Sequence, residues 1–281
     1  MLLAKKISLL LKSLKSQNKR RRLKKFGSFA SGVLVNSNSY YYLCDPSDGH
    51  VSRQLLKTGQ YNSKEIENIQ SLINSKSKVL IIGAHIGSLL IPISKKTFSI
   101  DAVEANPNNF SFLELNIKLN SCQNVKTYNF AATSQTKKID FILSKENSGG
   151  SKVYPKKNEI GYFYDNPEII KIQGKKLDDC FSEKYDLILM DIEGSEYDAM
   201  LGAKGLINST KKLVIEFIPH HIKSVAGINI KKFAELLLTF SFKKVTFPSY
   251  GFSGKPEEIL IQTLNEIDEK GLYEDGIIFE R

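Results

Sequence analysis

The chain has 281 residues, 41% hydrophobic and 25% charged, proportions ordinary for a soluble globular protein with one large domain or a smaller one plus an extension. No apolar run reaches the roughly 20 residues needed to span a bilayer. The three cysteines, Cys44, Cys122 and Cys180, are far apart and form no CxxC or Cys/His cluster, which excludes a zinc ribbon or disulfide framework and fits a reducing, cytoplasmic compartment.

The formal net charge of +10 is not spread evenly. Residues 1–44 carry ten lysines and arginines, all between Lys5 and Lys25, and no acid, leaving 30 basic and 30 acidic residues for the rest. The excess belongs to an arm and not to the body, which weakens a nucleic-acid reading of the body. Within residues 1–25, Leu2, Leu3, Ile7, Leu10, Leu11 and Leu14 recur at three- and four-residue spacing among the lysines, predicting an amphipathic helix. Such an arm suits an anionic membrane surface or a partner helix, or it packs on the body or on a second subunit of a homo-oligomer. A secretory signal is disfavoured, because lysines interrupt the apolar run and the charge follows it.

Residues 26–77 form a preface. A turn and two short strands are expected over 26–44, a turn at Asp45-Pro46-Ser47-Asp48-Gly49, a helical turn near 52–56, and a helix from Ser63, as N-cap, to about Asn74. From Lys78 to the end, strands are expected near 79–82, 98–103, 125–130, 186–191, 212–217, 242–247 and 276–280. Helices are expected near 86–95, 107–120, 195–206 and 230–240. This alternation predicts an α/β, doubly wound, seven-stranded, mostly parallel sheet, with an antiparallel strand at one edge after an irregular stretch holding Pro248, Gly251, Gly254 and Pro256. An insertion of more than fifty residues separates the third and fourth strands. It holds short strands at 139–143 and 169–173 and a mobile loop at Asn147–Ser151.

Ligands of open α/β sheets bind at the carboxyl ends of the strands. Here those ends carry Gly83-Ala84-His85-Ile86-Gly87, Glu104-Ala105-Asn106-Pro107 and Asp191-Ile192-Glu193-Gly194-Ser195-Glu196. Glycines permit a tight turn and close approach of a ligand. Glu104, about twenty residues on, stands where an acid accepts hydrogen bonds from ribose hydroxyls. The absence of a third glycine favours a single nucleoside ligand, such as S-adenosylmethionine, over a dinucleotide. Glu196 can also be read as a helix cap, and Glu193 as half of an ion pair with a lysine.

The acidic run Asp191–Glu196 with Met200-Leu201-Gly202-Ala203 resembles the hallmark of the FkbM family of methyltransferases. So do the Gly83–Gly87 turn, Glu104–Pro107 with Leu115, Asn116 and Asn120, and Val214-Ile215-Glu216. The resemblance covers about residues 50–220. It implies a Rossmann-like methyltransferase fold and S-adenosylmethionine-dependent transfer of methyl to oxygen, usually a hydroxyl of a sugar or polyketide-type product. It further implies that Gly83, Ala84, His85 and Gly87 face the methionine part of the cofactor and that Glu104 holds the ribose. Ala105 and Asn106 then lie near the adenine, Asn129, Ala131 and Ala132 line its face, and Asp191 and Glu193 face the methyl group and the acceptor. The sequence departs from the family pattern at Ile81, where an acid for the cofactor's amino group is usual. It departs also at His85 for Asn, Ala105 for Pro, and Leu189 for Lys.

Methyl transfer from a sulfonium is an in-line displacement, helped by alignment and by a base for the acceptor hydroxyl. Asp191, Glu193, His220 and His221 are the base candidates. Asp191, Glu193 and His220 show no recognisable metal-ligand spacing, so no metal is expected. The expected acceptor is a small molecule or glycan precursor, handled in the cytoplasm or at the inner membrane surface. The alternatives are a nucleic-acid methyltransferase tethered by the arm, against which no Asn-Pro-Pro-Tyr-like segment follows the fourth strand, and a non-catalytic module that keeps the fold.

Overall fold

The computed structural model describes residues 31–37, 39–157 and 159–281; the basic arm at 1–25 lies outside the described residues. In chain order the strands are β1 (Val33–Ser37), β2 (Tyr40–Cys44), β3 (Lys78–Ile82), β4 (Ser99–Glu104), β5 (Val125–Asn129), β6 (Ala131–Ala132), β7 (Lys137–Leu143), β8 (Lys152–Val153), β9 (Glu168–Lys175), β10 (Leu187–Met190), β11 (Lys212–Phe217), β12 (Lys244–Phe247), β13 (Phe252–Gly254) and β14 (Glu274–Glu280). The main sheet runs β5-β4-β3-β10-β11-β14-β12-β13. The five strands from β5 to β11 are parallel, and β14 is antiparallel to both β11 and β12.

Side chains alternate across this sheet. Leu80, Ile82, Ile188, Met190, Leu213 and Ile215 enter a core with helical Ala199, Phe233 and Leu264. Val79, Ile81, Leu187, Leu189 and Val214 enter a second core with Leu55, Ile69, Ile91 and Leu113. Burial on both faces explains the continuous apolar runs of the central strands.

The expected class holds, with differences of detail. The sheet has eight strands, because Phe252–Gly254 pairs antiparallel with β12 and forms the edge. The β12–β14 pair is antiparallel as expected, but a helix spans Pro256–Glu269 in the connection read as irregular. Asn62, not Ser63, is the residue before the helix Ser63–Ser71. The first crossover is helical over Leu90–Ser94 alone. The helix expected at 195–206 is two, Glu196–Leu201 and Lys204–Ser209. They part at Gly202, where a Cβ would stand 2.1 Å from the Thr133 carbonyl oxygen.

The insertion forms a second sheet, ordered β6-β9-β7-β8, with β7 and β9 a long antiparallel pair. Its Asn147–Ser151 loop, expected to be mobile, is instead tied down. The Ser148 N–H donates to Asp48 Oδ1 at 2.9 Å, and Asn106 Nδ2 lies 3.0 Å from Ser151 Oγ. The preface is equally pinned. Fully buried Asn116 accepts from Leu43 N at 2.6 Å and donates to Ile86 O at 2.9 Å, joining β2 to the turn after β3. Asn116→Ala strands those buried partners, so urea denaturation should show a loss of about 2 kcal/mol. Among the described residues, no helix is long and apolar enough to cross a membrane.

Candidate active site

From β3 the chain moves one way to β4, whereas β10 lies on the other side, so strand order reverses between β3 and β10. The crevice at such a reversal is the usual ligand site of this architecture. Gly83 ends β3 there with φ +94°, and a Cβ on it would lie 1.7 Å from the Asp191 carbonyl oxygen. The Gly83 and Ala84 N–H groups both donate to Val103 O, at 2.9 and 3.0 Å. His85 follows in a left-handed conformation, φ +50°. Its N–H donates to Glu104 Oε2 at 2.8 Å, and the Asn106 N–H donates to Glu104 Oε1 at 2.8 Å. Burial pushes the Glu104 carboxyl up to about 7, against the pull of those N–H groups.

A cavity of about 300 Å³ opens over this turn, within the range of small-molecule sites. Gly83, Ala84, His85, Glu104, Ala105 and Ala131 line it, together with Ala132, Asp191 and Glu193. Three residues expected at the cofactor, Gly87, Asn106 and Asn129, lie outside the cavity lining and brace its walls. Gly87 packs towards Leu113, at 3.1 Å from where a Cβ would stand. Asn106 caps the helix Pro107–Leu119 by accepting from Asn108 N at 2.9 Å. Exposed Asn129 donates to Glu104 O at 2.8 Å, holding the acid's backbone.

Across the crevice, Glu196 Oε1 accepts from the Ile192 and Gly194 N–H groups at 3.0 and 3.2 Å, which folds the acidic run over the cavity. Glu196 stands in the first turn of the helix Glu196–Leu201, but its carboxyl braces the loop before the helix and does not cap it. Glu193 stands at φ +59°, a costly conformation for a residue with a Cβ and one that collects at functional sites. Its Oε2 lies 3.2 Å from Lys152 Nζ and 3.0 Å from His221 Nδ1. Lys152 Nζ also lies 3.4 Å from His221 Nε2 and 4.8 Å from the centre of the Tyr162 ring. Burial alone would raise Glu193, but the Lys152 charge and then His221 overcome it and hold the carboxyl at about 2. Asp191 goes the other way: burial first, then the charges of Glu193 and Glu65, push it well above the usual carboxylate range. Two acids two residues apart are thus pushed in opposite directions, Glu193 down by its cation and Asp191 up by burial and its acidic neighbours.

The two histidines separate. His221 joins Glu193 and Lys152, whereas half-exposed His220 turns outward, its Nε2 3.1 Å from Glu159 Oε2. Burial lowers the His220 pKa. The ligand set Asp191, Glu193 and His220 is therefore not brought together. Glu193, Glu216 and His221 do bring ligand atoms within 4.8 Å of one another, but the Lys152 ammonium already supplies positive charge beside two of them.

Sequence reasoning missed Lys152, Tyr162, Glu65 and the placement of Glu216. Glu216 carried a signal, being an acid near the end of an apolar central strand. Lys152 and Tyr162 carried none, because the insertion's pairing decides where they fall.

A family model described as the methyltransferase FkbM domain matches residues 82–252. The chain belongs to the FkbM methyltransferases. S-adenosylmethionine is accordingly the cofactor, and the site fits it: two left-handed turns open the backbone, Glu104 offers a carboxylate, and the buried Ser195 Oγ lines the cavity without a hydrogen-bond partner. Solved structures with related backbones include the FkbM methyltransferase of Methylobacillus flagellatus KT, 17% identical, covering 74% of this chain and 44% of that one, TM-score 0.44. TYW2 of M. jannaschii, solved with AdoMet, is 15% identical, covering 90% and 88%, TM-score 0.45. Trm5b of Pyrococcus abyssi is 16% identical, covering 90% and 57%, TM-score 0.47. This chain thus spans less than half of the first structure. The family match, and not these distant likenesses, places the chain. No curated protein matches it.

Proposed function

We propose that this FkbM methyltransferase transfers methyl to oxygen, on a hydroxyl of a sugar, a glycan precursor or a related natural product. The observation that carries the reading is Asp191, a half-buried carboxyl of raised pKa on the cavity wall at the end of β10, whose backbone lies directly against the Gly83 turn. When bound, S-adenosylmethionine supplies an electrophilic methyl group on a sulfonium. Glu104 accepts from the ribose hydroxyls. The Gly83–Ala84 backbone would admit the sulfonium end close to the strand. Asp191 would take the proton of the acceptor hydroxyl at its carboxylate as the oxygen–carbon bond forms and the sulfur–carbon bond breaks, leaving the neutral thioether of S-adenosylhomocysteine. Glu193, held ionised by Lys152, orients the acceptor from the other side. Neutral body charge and the lack of lysine and arginine in the cavity lining among the described residues support a neutral, hydroxyl-rich acceptor over a polyanion. The arm at 1–25 suits acceptors presented at a membrane surface.

The test is methyl transfer from labelled S-adenosylmethionine to a panel of sugar nucleotides and lipid-linked glycans, at saturating cofactor. Asp191→Asn should lower kcat roughly 100-fold, whereas His220→Ala should stay within about twofold of the parent. Near-normal rates for Asp191→Asn would sink the base assignment. Methyl on nitrogen or carbon in the product would sink the oxygen assignment.

A further inference from the structure

The cavity has two chemically unlike ends. Around Glu104 it is walled by Ala105, Ala131, Ala132 and Phe141. The opposite end is lined by Tyr61, Glu65, Asp191, Glu216 and Asp275, and no lysine or arginine lines the cavity anywhere among the described residues. Strand alternation explains the convergence. Asp191 continues the Leu187 and Leu189 face of β10, and Glu216 continues the Val214 face of β11. That face is packed by the helix Ser63–Ser71, whose first turn carries Glu65. Asp275 arrives on β14, the antiparallel neighbour of β11.

Glu65, Asp191 and Glu216 are half-buried and Asp275 is exposed, and carboxylates gathered partly out of water are costly unless positive charge meets them. Burial, and then Asp275, push Glu65 up to about 8. Asn62 donates to Glu65 Oε2, which fixes the carboxyl and leaves Oε1 for a ligand. A second feature points to a ligand in the same cavity. The Ser195 hydroxyl, 6% exposed, lines this cavity with no partner for its oxygen. Ile81, also on the wall, carries no charge to meet one.

S-adenosylmethionine has a matching polarity: a nucleoside at one end and an α-ammonium at the other. With the ribose on Glu104, the amino-acid end reaches the acidic end. We propose that Glu65 holds the α-ammonium of the cofactor, so that the segment preceding the matched region 82–252 completes the cofactor site in place of an acid at position 81. This rests on Glu104 being the ribose anchor. Asp191 and Glu216 strengthen the negative field there, and Glu65 makes the direct charge-assisted hydrogen bond.

Calorimetry on the full chain tests it with two probes. S-adenosylhomocysteine carries the amino acid, and 5′-methylthioadenosine keeps the nucleoside and thioether but lacks it. Glu65→Gln should weaken S-adenosylhomocysteine about 10-fold or more and leave 5′-methylthioadenosine within about twofold. The same variant should raise the thermal midpoint of the ligand-free protein, because it removes one of several mutually repelling carboxylates. Equal loss for both probes with a lowered midpoint makes Glu65 merely structural and overturns the proposal. Unchanged affinity for both probes also overturns it. Failure of both probes to bind the parent chain would overturn the cofactor reading itself.

Discussion

Lys152→Met is expected to destabilise the fold by about 3–5 kcal/mol at pH 8, and by less at pH 6. Lys152 is one of the few cations that reach the buried acids: its side chain is 6% exposed and its Nζ lies 3.2 Å from Glu193 Oε2. In the parent, Glu193 titrates at about 2, below its ordinary 4.5. Its contribution to stability is therefore present above pH 4.5 and lost only as pH falls towards 2. Without Lys152, burial, which raises this carboxyl, is opposed chiefly by His221. The folded pKa then moves above the unfolded one, and the sign reverses: stability is lost as pH rises. Glu216, already raised by burial and lowered by Lys152, responds in the same direction. Urea denaturation at the two pH values checks this. A deficit that is absent, or larger at pH 6, contradicts it.

Gly83→Ala should be comparably damaging, by about 4 kcal/mol or more, with cofactor binding lost. The residue needs φ +94°, and its Cβ would stand 1.7 Å from the Asp191 carbonyl oxygen and 2.8 Å from the carbonyl carbon. Neither is the end of a flexible side chain, so β3 and β10 must separate where the ligand sits. Gly251→Ala is the control. It too has positive φ, at +68°, but nothing lies within 4 Å of a Cβ there, so it should cost about 1 kcal/mol and leave binding intact. Thermal midpoints and calorimetry on the two variants separate the contact from the dihedral. Similar small effects at both positions would contradict the account of the turn.

The sheet was readable because its strands are buried on both faces and so appear as unbroken apolar runs ending in glycine or acid, as at Ile82-Gly83 and Met190-Asp191. The helix Pro256–Glu269 was readable too, though it went unread: Pro256 with Glu257 and Glu258 is a helix start, and Leu260, Leu264 and Ile267 mark its buried face. Glycine and proline nearby gave the stretch the look of a loop. Glu104, Asp191 and Glu193 were legible because acids at strand ends are costly unless used. The roles of Asn106 and Asn129 were not. An asparagine beside a ligand and one that caps a helix or braces a carbonyl look alike in sequence, and only the hydrogen-bond directions separate them. Lys152 was beyond reach for a different reason: it enters the site through the register of β7 with β8, a long-range pairing that leaves no local periodicity.

The most direct measurement is a crystal structure of the full chain with S-adenosylhomocysteine. The ribose hydroxyls should lie on Glu104, the thioether sulfur over the Gly83–Ala84 turn facing Asp191, and the amino group on Glu65. A nucleoside bound away from Glu104, or a sulfur turned away from Asp191, would contradict this placement.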